Sequence, residues 1–310
     1  MRGWIGVTES RWIDHLKAHP ENSEANFWRP SSHSAPFKAL SEGEPFLFKT
    51  KYSAGDSIVG GGFFSGYQKL RLSEAWKFWG TANGADNFEE WLELMNKTAP
   101  TPLIPARDPE IGCIMLSDIF FLEEESQIPN DNLIAKQVVQ GKGFSLESGS
   151  KAEAIFTKAL TGNRILDNTA STWSWDAPIF GQTSKSKRRL GQGAFQARIL
   201  DAYNMKCAIT KHKIRPTLQA AHIKPVQSGG IHRTDNGLLL RSDIHTLFDS
   251  GYIAVDHDFR INVSPRIREE FGNGDELYAI EGSLISLPSN VEDRPNHEFI
   301  EWHLGNTFLG

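Results

Sequence analysis

The sequence predicts an α+β protein of two domains. The first is a β-rich N-terminal domain with inserted helices, and the second is built around a strand, a loop and a short helix. Three observations point there. The 310 residues can bury one large core or two domains of about 150 residues, and two is the better expectation. The first half carries short apolar runs bounded by turn residues, with two helically spaced segments between them. The second half sets His222, Asn236 and His245 at intervals of fourteen and nine residues. Hydrophobic residues at 39% and charged residues at 23% sit near globular averages, which argues against a disordered chain. Runs such as "IGCIML" and "GLLL" fall far short of the roughly 18 residues of a membrane helix. The start, "MRGWIGVTES", lacks the apolar stretch of a signal peptide, so a cytoplasmic location with no membrane partner is expected.

In chain order, residues 1–149 form the first expected domain. There "PFLFKT", "DSIVGGGFF" and "IGCIML" read as short buried strands. Between them "LSEAWKFWG" and "NFEEWLELMNK" read as helices, the latter with Phe88, Trp91, Leu92 and Met95 on one stripe. Residues 150–184 read as a linker with a short helix, "SGSKAEAIFTKAL", which Ser150 can cap. The loop-like "STWSWDAPIFGQTS" follows, and its Trp173, Trp175 and Phe180 imply packing. The second domain, 185–310, opens on "KSKRRLGQGAF", after which "GQGAFQARILDAYNMK" predicts a helix with Phe195, Ile199 and Tyr203 on one face. "LQAAHIKP" reads as a strand closed by Pro225, which puts His222 at a strand end facing a loop. "NGLLLRSDIHTLFDSGYIAVD" reads as a turn at Asn236 and Gly237, a helix from about Ser242 to Phe248 stopped by Gly251, and a strand. His245 and Asp249 are i and i+4, so both project from one helical face.

The net charge of −5 argues against a nucleic-acid partner, because phosphate binders usually carry a basic face. Its distribution argues the other way. Between Lys185 and Lys224 there are ten Lys or Arg residues against Asp201 alone, whereas between Glu74 and Asp131 twelve acids face Lys77, Lys97 and Arg107. The basic run leads straight into the His-Asn-His stretch. Lys187, Arg188, Arg189, Lys211, Lys213, Arg215 and Lys224 are therefore candidates for DNA-backbone contact. The two cysteines, Cys113 and Cys207, have no second cysteine at metal-ligand spacing. They read as buried, reduced thiols, and a zinc site of paired CxxC motifs is excluded.

The segment "CAIT … LQAAHIKP … DNGLLLRSDIHTLFDSGYIAV" resembles the HNH endonuclease family over roughly residues 188–263. The resemblance implies a ββα-metal fold and metal-dependent phosphodiester hydrolysis. It makes His222 the general base, a role that suits an imidazole of near-neutral pKa. It makes His245 a metal ligand and Asn236 the brace that orients His222. One departure stands out: many family members carry an acidic or histidine ligand immediately before the base, and here that position is Ala221. The ion then rests on His245 with waters and phosphate oxygens, or Asp249 shares it. Asp249 reads equally well as a helix-end hydrogen-bond acceptor, and Asp243 is a third candidate on the solvent side. The implied cofactor is Mg²⁺ or Mn²⁺.

In the first domain "NFWRP", "EPFLFKT", "DSIVGGGFFSGYQKL" and "LSEAWKFWG" resemble the EVE domain of the PUA superfamily. This implies a PUA-like β-barrel that holds a flipped, modified base in an aromatic slot. Trp28, Phe48, Phe64 and Trp76 are the candidate slot walls, each also readable as core. Gly60, Gly61 and Gly62 would admit a ligand close to the backbone, and Trp79, Trp91 and Phe88 are assigned to the core. A reader of this kind fused to an HNH nuclease is similar to bacterial modification-dependent restriction endonucleases. The implied substrate is double-stranded DNA bearing 5-methylcytosine or 5-hydroxymethylcytosine. Because one HNH site nicks one strand, a homodimer or paired binding on DNA is expected. Two other readings stay open: an inactive HNH platform that only binds modified nucleic acid, and an RNA-directed protein.

Overall fold

A computed structural model describes residues 1–31, 35–162 and 191–310. The chain divides into two compact units, Met1–Ser186 and Lys187–Gly310. The first contains β1 (Arg2–Thr8), α1 (Ser10–Ala18), β2 (Glu24–Arg29), β3 (Pro45–Thr50), β4 (Ser57–Arg71), α2 (Leu72–Trp79), α3 (Phe88–Asn96), β5 (Glu110–Phe121), β6 (Ile128–Pro129), β7 (Gly141–Ser145) and α4 (Lys151–Gly162). The strands form one sheet in the order β2-β5-β4-β3-β1-β7, with β6 paired to β4. β1 and β3 run parallel, and the other pairs are antiparallel.

The expected barrel is not closed. Closure needs a ladder between the end strands, but β2 pairs along its length with β5 and β7 pairs with β1. The sheet is instead covered on both faces, as the unbroken apolar run of β3 requires: alternate side chains of a strand point to opposite faces. Phe46 and Phe48 join Trp12, Ile13 and Leu16 of α1 in one buried cluster. Leu47 joins Ile5, Ile58 and Phe120 in the other.

The helix expected in a linker belongs to that second cluster. α4 inserts Ala152, Ile155, Phe156 and Ala159 against the sheet, and the Ser150 hydroxyl accepts the Glu153 N–H at 3.0 Å, as a helix cap does. The glycines of β4 also have a different use from the expected one. A Cβ at Gly60 would strike the Phe120 carbonyl oxygen, and one at Gly61 would lie 2.8 Å from the Phe46 carbonyl oxygen. The register between β4 and β5 shifts between Gly61 and Phe63 and again between Phe64 and Gly66. Bulged strands pressed against their neighbours account for these glycines.

The second unit holds α5 (Gln192–Ala202), β8 (Leu218–His222), β9 (Gly237–Arg241), α6 (Ser242–Asp249), β10 (Ile253–Val255), β11 (Ile261–Val263), α7 (Arg266–Phe271), α8 (Asp275–Tyr278) and α9 (His297–Asn306). β8 and β9 pair antiparallel from Leu218 opposite Arg241 to His222 opposite Gly237. "GLLL" is thus a strand of its own, with Leu238, Leu239 and Leu240 buried, and α6 follows it without a loop. Gly251, at φ +79°, ends α6 in the left-handed conformation that favours glycine. Both cysteines are buried free thiols, and burial pushes the Cys113 thiol up to about 12. Among the described residues no helix is long and apolar enough to cross a membrane.

Candidate active site

β8 ends at His222, β9 begins at Gly237, and the fourteen residues between are held by one side chain. Asn236 is fully buried. Its Oδ1 accepts the Lys224 N–H at 2.9 Å, and its Nδ2 donates to the carbonyls of Lys224 at 3.0 Å and Ile231 at 2.9 Å. Its own carbonyl accepts the Ile223 N–H at 3.0 Å. One carboxamide thereby replaces the ladder hydrogen bonds that the loop lacks, as buried backbone groups require. Gly230 closes the same loop: a Cβ there would run into the Lys224 carbonyl oxygen.

His222 lies at the mouth of this loop with its ring flat on Phe195 of α5, centroids 4.1 Å apart and planes 10° apart. Its Nε2 is 3.0 Å from Nδ1 of His232. Burial, and then the neighbouring His232, push the His222 pKa down to about 4. Burial lowers the His232 pKa as well. Both rings are therefore neutral near neutrality, and in a neutral pair one ring donates while the other keeps a lone pair.

These shifts set a stability trend. A histidine whose folded pKa lies below its unfolded value of 6.5 takes its proton first in the unfolded chain. Its stabilising contribution is whole above 6.5 and is lost as pH falls toward the folded value. The thermal midpoint is expected to fall between about pH 6.5 and pH 4, and His222→Gln is expected to flatten part of that slope. Calorimetry across this window checks it; identical slopes for the two proteins would count against it.

Across the cleft, α6 presents His245 and Asp249 one turn apart, Nε2 to Oδ2 3.2 Å. His245 Nδ1 lies 2.8 Å from Oε1 of Gln219 on β8. An amide oxygen only accepts, so Nδ1 carries the hydrogen in the neutral ring and Nε2 turns its lone pair toward the Asp249 carboxylate. Two acceptors facing each other at this distance call for a proton or a cation between them. They fit a divalent ion that fills its other positions with water and phosphate oxygens. Ala221 is fully buried and offers no ligand. Asp243 is committed elsewhere: its two oxygens each accept from the Arg241 guanidinium at 2.7 Å, which holds its pKa down.

His222, His232, His245, Asp249 and His303 line one cleft of about 550 Å³, room enough for a phosphodiester and its waters. His303 comes from α9, stacked on Phe248 at 3.9 Å, with Nε2 3.1 Å from the Phe248 carbonyl. Its Nδ1 is buried with no hydrogen-bond partner, which leaves a lone pair beside the cleft. His232, Gln219, Phe195 and His303 had no assigned role in the sequence. His232 lies four residues before Asn236, and that proximity is its one sequence signal.

Of the basic candidates, Lys187, Arg188 and Arg189 lie outside the described residues. Lys211 and Lys213 are exposed, and Arg215 and Lys224 are half-buried. Lys224 Nζ sits over the Trp302 ring at 5.6 Å. In the first unit the four slot candidates do not form one slot. Phe48 is fully buried and Phe64 nearly so, both within the α1 cluster, with Trp28 packed against it. Trp28 Nε1 donates to the Asn83 carbonyl at 2.9 Å. Trp76 packs instead edge-on against Phe88 and at a tilt against Trp91. Phe48 keeps no face for a base, because a buried ring in a packed core has its faces already covered. Trp79 and Trp91 are core, as expected.

Residues 207–256 match the HNH endonuclease family and form an HNH endonuclease domain. No curated protein matches the chain. Among solved structures, the ASCH protein of Zymomonas mobilis is similar at 10% identity and a TM-score of 0.34, covering 50% of this chain and 94% of that one. A point mutant of it gives the same identity and score over 96% of its length. A modification-dependent restriction endonuclease, TagI, is similar at 13% identity and a TM-score of 0.26, over 85% of this chain and 62% of that one.

Proposed function

We propose that this chain is a divalent-metal-dependent DNA endonuclease whose HNH cleft hydrolyses phosphodiester bonds. One observation carries the reading. Within the matched segment, a neutral, aromatic-backed His222 shares a cleft with a histidine and carboxylate pair whose lone pairs converge. His222 takes the proton of the attacking water; its pKa, held well below the near-neutral value expected from the sequence, keeps the ring unprotonated near neutrality but makes it a weaker base. His232, hydrogen-bonded to it, fixes the ring's orientation. Asn236 keeps the loop, and with it the strand end bearing His222, from shifting. His245 and Asp249 would hold a divalent ion, which when bound would supply charge neutralisation on the phosphoryl oxygens and stabilisation of the leaving oxygen. Lys211 and Lys213, with Arg215 and Lys224, contribute phosphate contacts.

The fuller proposal assigns the first unit to reading a modified cytosine in double-stranded DNA, flipped from the duplex, with a homodimer cutting both strands. It rests on the sequence resemblance to EVE-type readers. The inactive-platform reading is favoured by one observation, the buried Ala221 where a ligand is common.

The test uses one plasmid in three forms, unmodified, cytosine-methylated and hydroxymethylated, with Mg²⁺ or Mn²⁺. Cleavage of the modified forms alone, lost with chelator and with His245→Ala, is the expected result. Equal cutting of all three keeps the nuclease and removes the reader. Intact plasmid in every lane returns the weight to the platform.

A further inference from the structure

The first unit carries a second cluster of metal-ligating side chains, and it is independent of the nuclease reading. His15 lies on α1 and His19, four residues on, caps the helix C-terminus, while Asp86 lies just before Asn87, the residue that caps α3. One ligand atom from each of the three lies within 4.8 Å of the other two. His15 Nδ1 is 3.4 Å from Asp86 Oδ1, and His19 Nε2 is 3.9 Å from the same oxygen.

What sets this cluster apart is the other nitrogen of each ring. His15 Nε2 lies 3.1 Å from the Thr81 carbonyl oxygen, and His19 Nδ1 lies 2.9 Å from the His15 carbonyl oxygen. A carbonyl only accepts, so both of those nitrogens carry hydrogen. In the neutral rings the lone pairs are then on His15 Nδ1 and His19 Nε2, the atoms that face Asp86. This is the arrangement in which a backbone carbonyl fixes the tautomer of a metal-bound histidine.

Two charged rings are disfavoured here. The imidazoles stack at 4.3 Å, which would set two like charges close together if both rings were protonated. With the rings neutral, three acceptors converge with no donor between them. Arg11, one turn before His15 on α1, is engaged with Glu90. Rigid backing supports the cluster from below, since a Cβ at Gly84 would collide with the Trp12 ring. The segment bearing Thr81 and Asp86 therefore lies tight against α1.

We propose that His15, His19 and Asp86 bind a Zn²⁺-class ion, with a fourth position open to water or an incoming ligand. Tetrahedral zinc with bonds near 2.0–2.1 Å sets its ligand atoms about 3.3 Å apart. The observed 3.4 and 3.9 Å lie nearer that spacing than the closer one octahedral Mg²⁺ needs. Such an ion ties the last turn of α1 to the segment that enters α3. It binds only the folded state and so raises the unfolding temperature.

The experiment uses the full chain carrying His245→Ala, which removes a ligand of the nuclease cleft, with Zn²⁺ or Co²⁺ alone as the probe. One equivalent of Zn²⁺ is expected to bind by calorimetry with a dissociation constant below about 100 μM and to raise the thermal midpoint. Co²⁺ is expected to show the visible absorption of a tetrahedral site. Adding His19→Gln or Asp86→Asn, both on the surface side of the cluster, is expected to weaken binding at least about tenfold while circular dichroism is unchanged. Binding weaker than about 100 μM, or binding that neither substitution alters, overturns the site.

Discussion

His222→Ala is expected to abolish plasmid nicking in Mg²⁺ or Mn²⁺, with a rate loss of about 10²–10⁴. The circular dichroism spectrum is expected to stay that of the folded protein. The size follows from the role: a base that accepts a proton in the transition state contributes a factor of this order, and alanine has no nitrogen to substitute for it. The second ring of the pair makes the result diagnostic. His232 Nδ1 lies 3.0 Å from His222 Nε2, so His232→Ala is expected to slow nicking less, because the base survives and only its orientation is lost. If His222→Ala cuts at the wild-type rate while His232→Ala is dead, the base has been assigned to the wrong ring.

The second large effect belongs to Asn236. Alanine there removes three side-chain hydrogen bonds and leaves the Lys224 N–H and the carbonyls of Lys224 and Ile231 without those partners in a partly buried setting. A buried polar group stripped of its partner costs about 1–3 kcal/mol. Even with partial relaxation into water, Asn236→Ala is expected to cost about 3 kcal/mol or more. That is a large share of the roughly 5–15 kcal/mol that keeps a domain folded. Asn236→Asp keeps the acceptor but turns a second oxygen toward two carbonyls, so it is expected to rescue little. Urea denaturation of the three proteins measures this. A midpoint for Asn236→Ala within error of wild type would mean that the loop is held by something other than this side chain.

Much of the second unit was legible because its signals are local. β8 ends three residues before Pro225, Gly251 ends α6, and the i, i+4 spacing of His245 and Asp249 sets them on one face of α6. The spacing of His222, Asn236 and His245 holds within one strand, loop and helix, so sequence distance was a fair guide to spatial distance. "GLLL" was harder to read, because a short apolar run is compatible with either a turn's outgoing arm or a buried strand until its partner is known. That partner is β8.

The first unit shows the opposite case. Trp28, Phe48, Phe64 and Trp76 are each compatible with a slot wall or a core residue, since an aromatic ring has the same apolar faces in both places. Three entered one core cluster or packed against it, and Trp76 packs against Phe88 and Trp91. The triplet Gly60 to Gly62 likewise answers to strand bulges and the close approach of neighbouring strands.

By itself the sequence determined the short elements marked by propensities, breakers and caps, which act over a few residues, and the intervals of the candidate HNH residues His222, Asn236 and His245. Only the tertiary structure decided the rest: that the barrel stays open, that α4 packs under the sheet, that His232, Phe195 and Gln219 set the state of the cleft's histidines, and that His15, His19 and Asp86 converge. Each of these depends on which faces meet across long stretches of chain, and burial and hydrogen-bond partners, the quantities that fix a tautomer or a pKa, exist only once they have met.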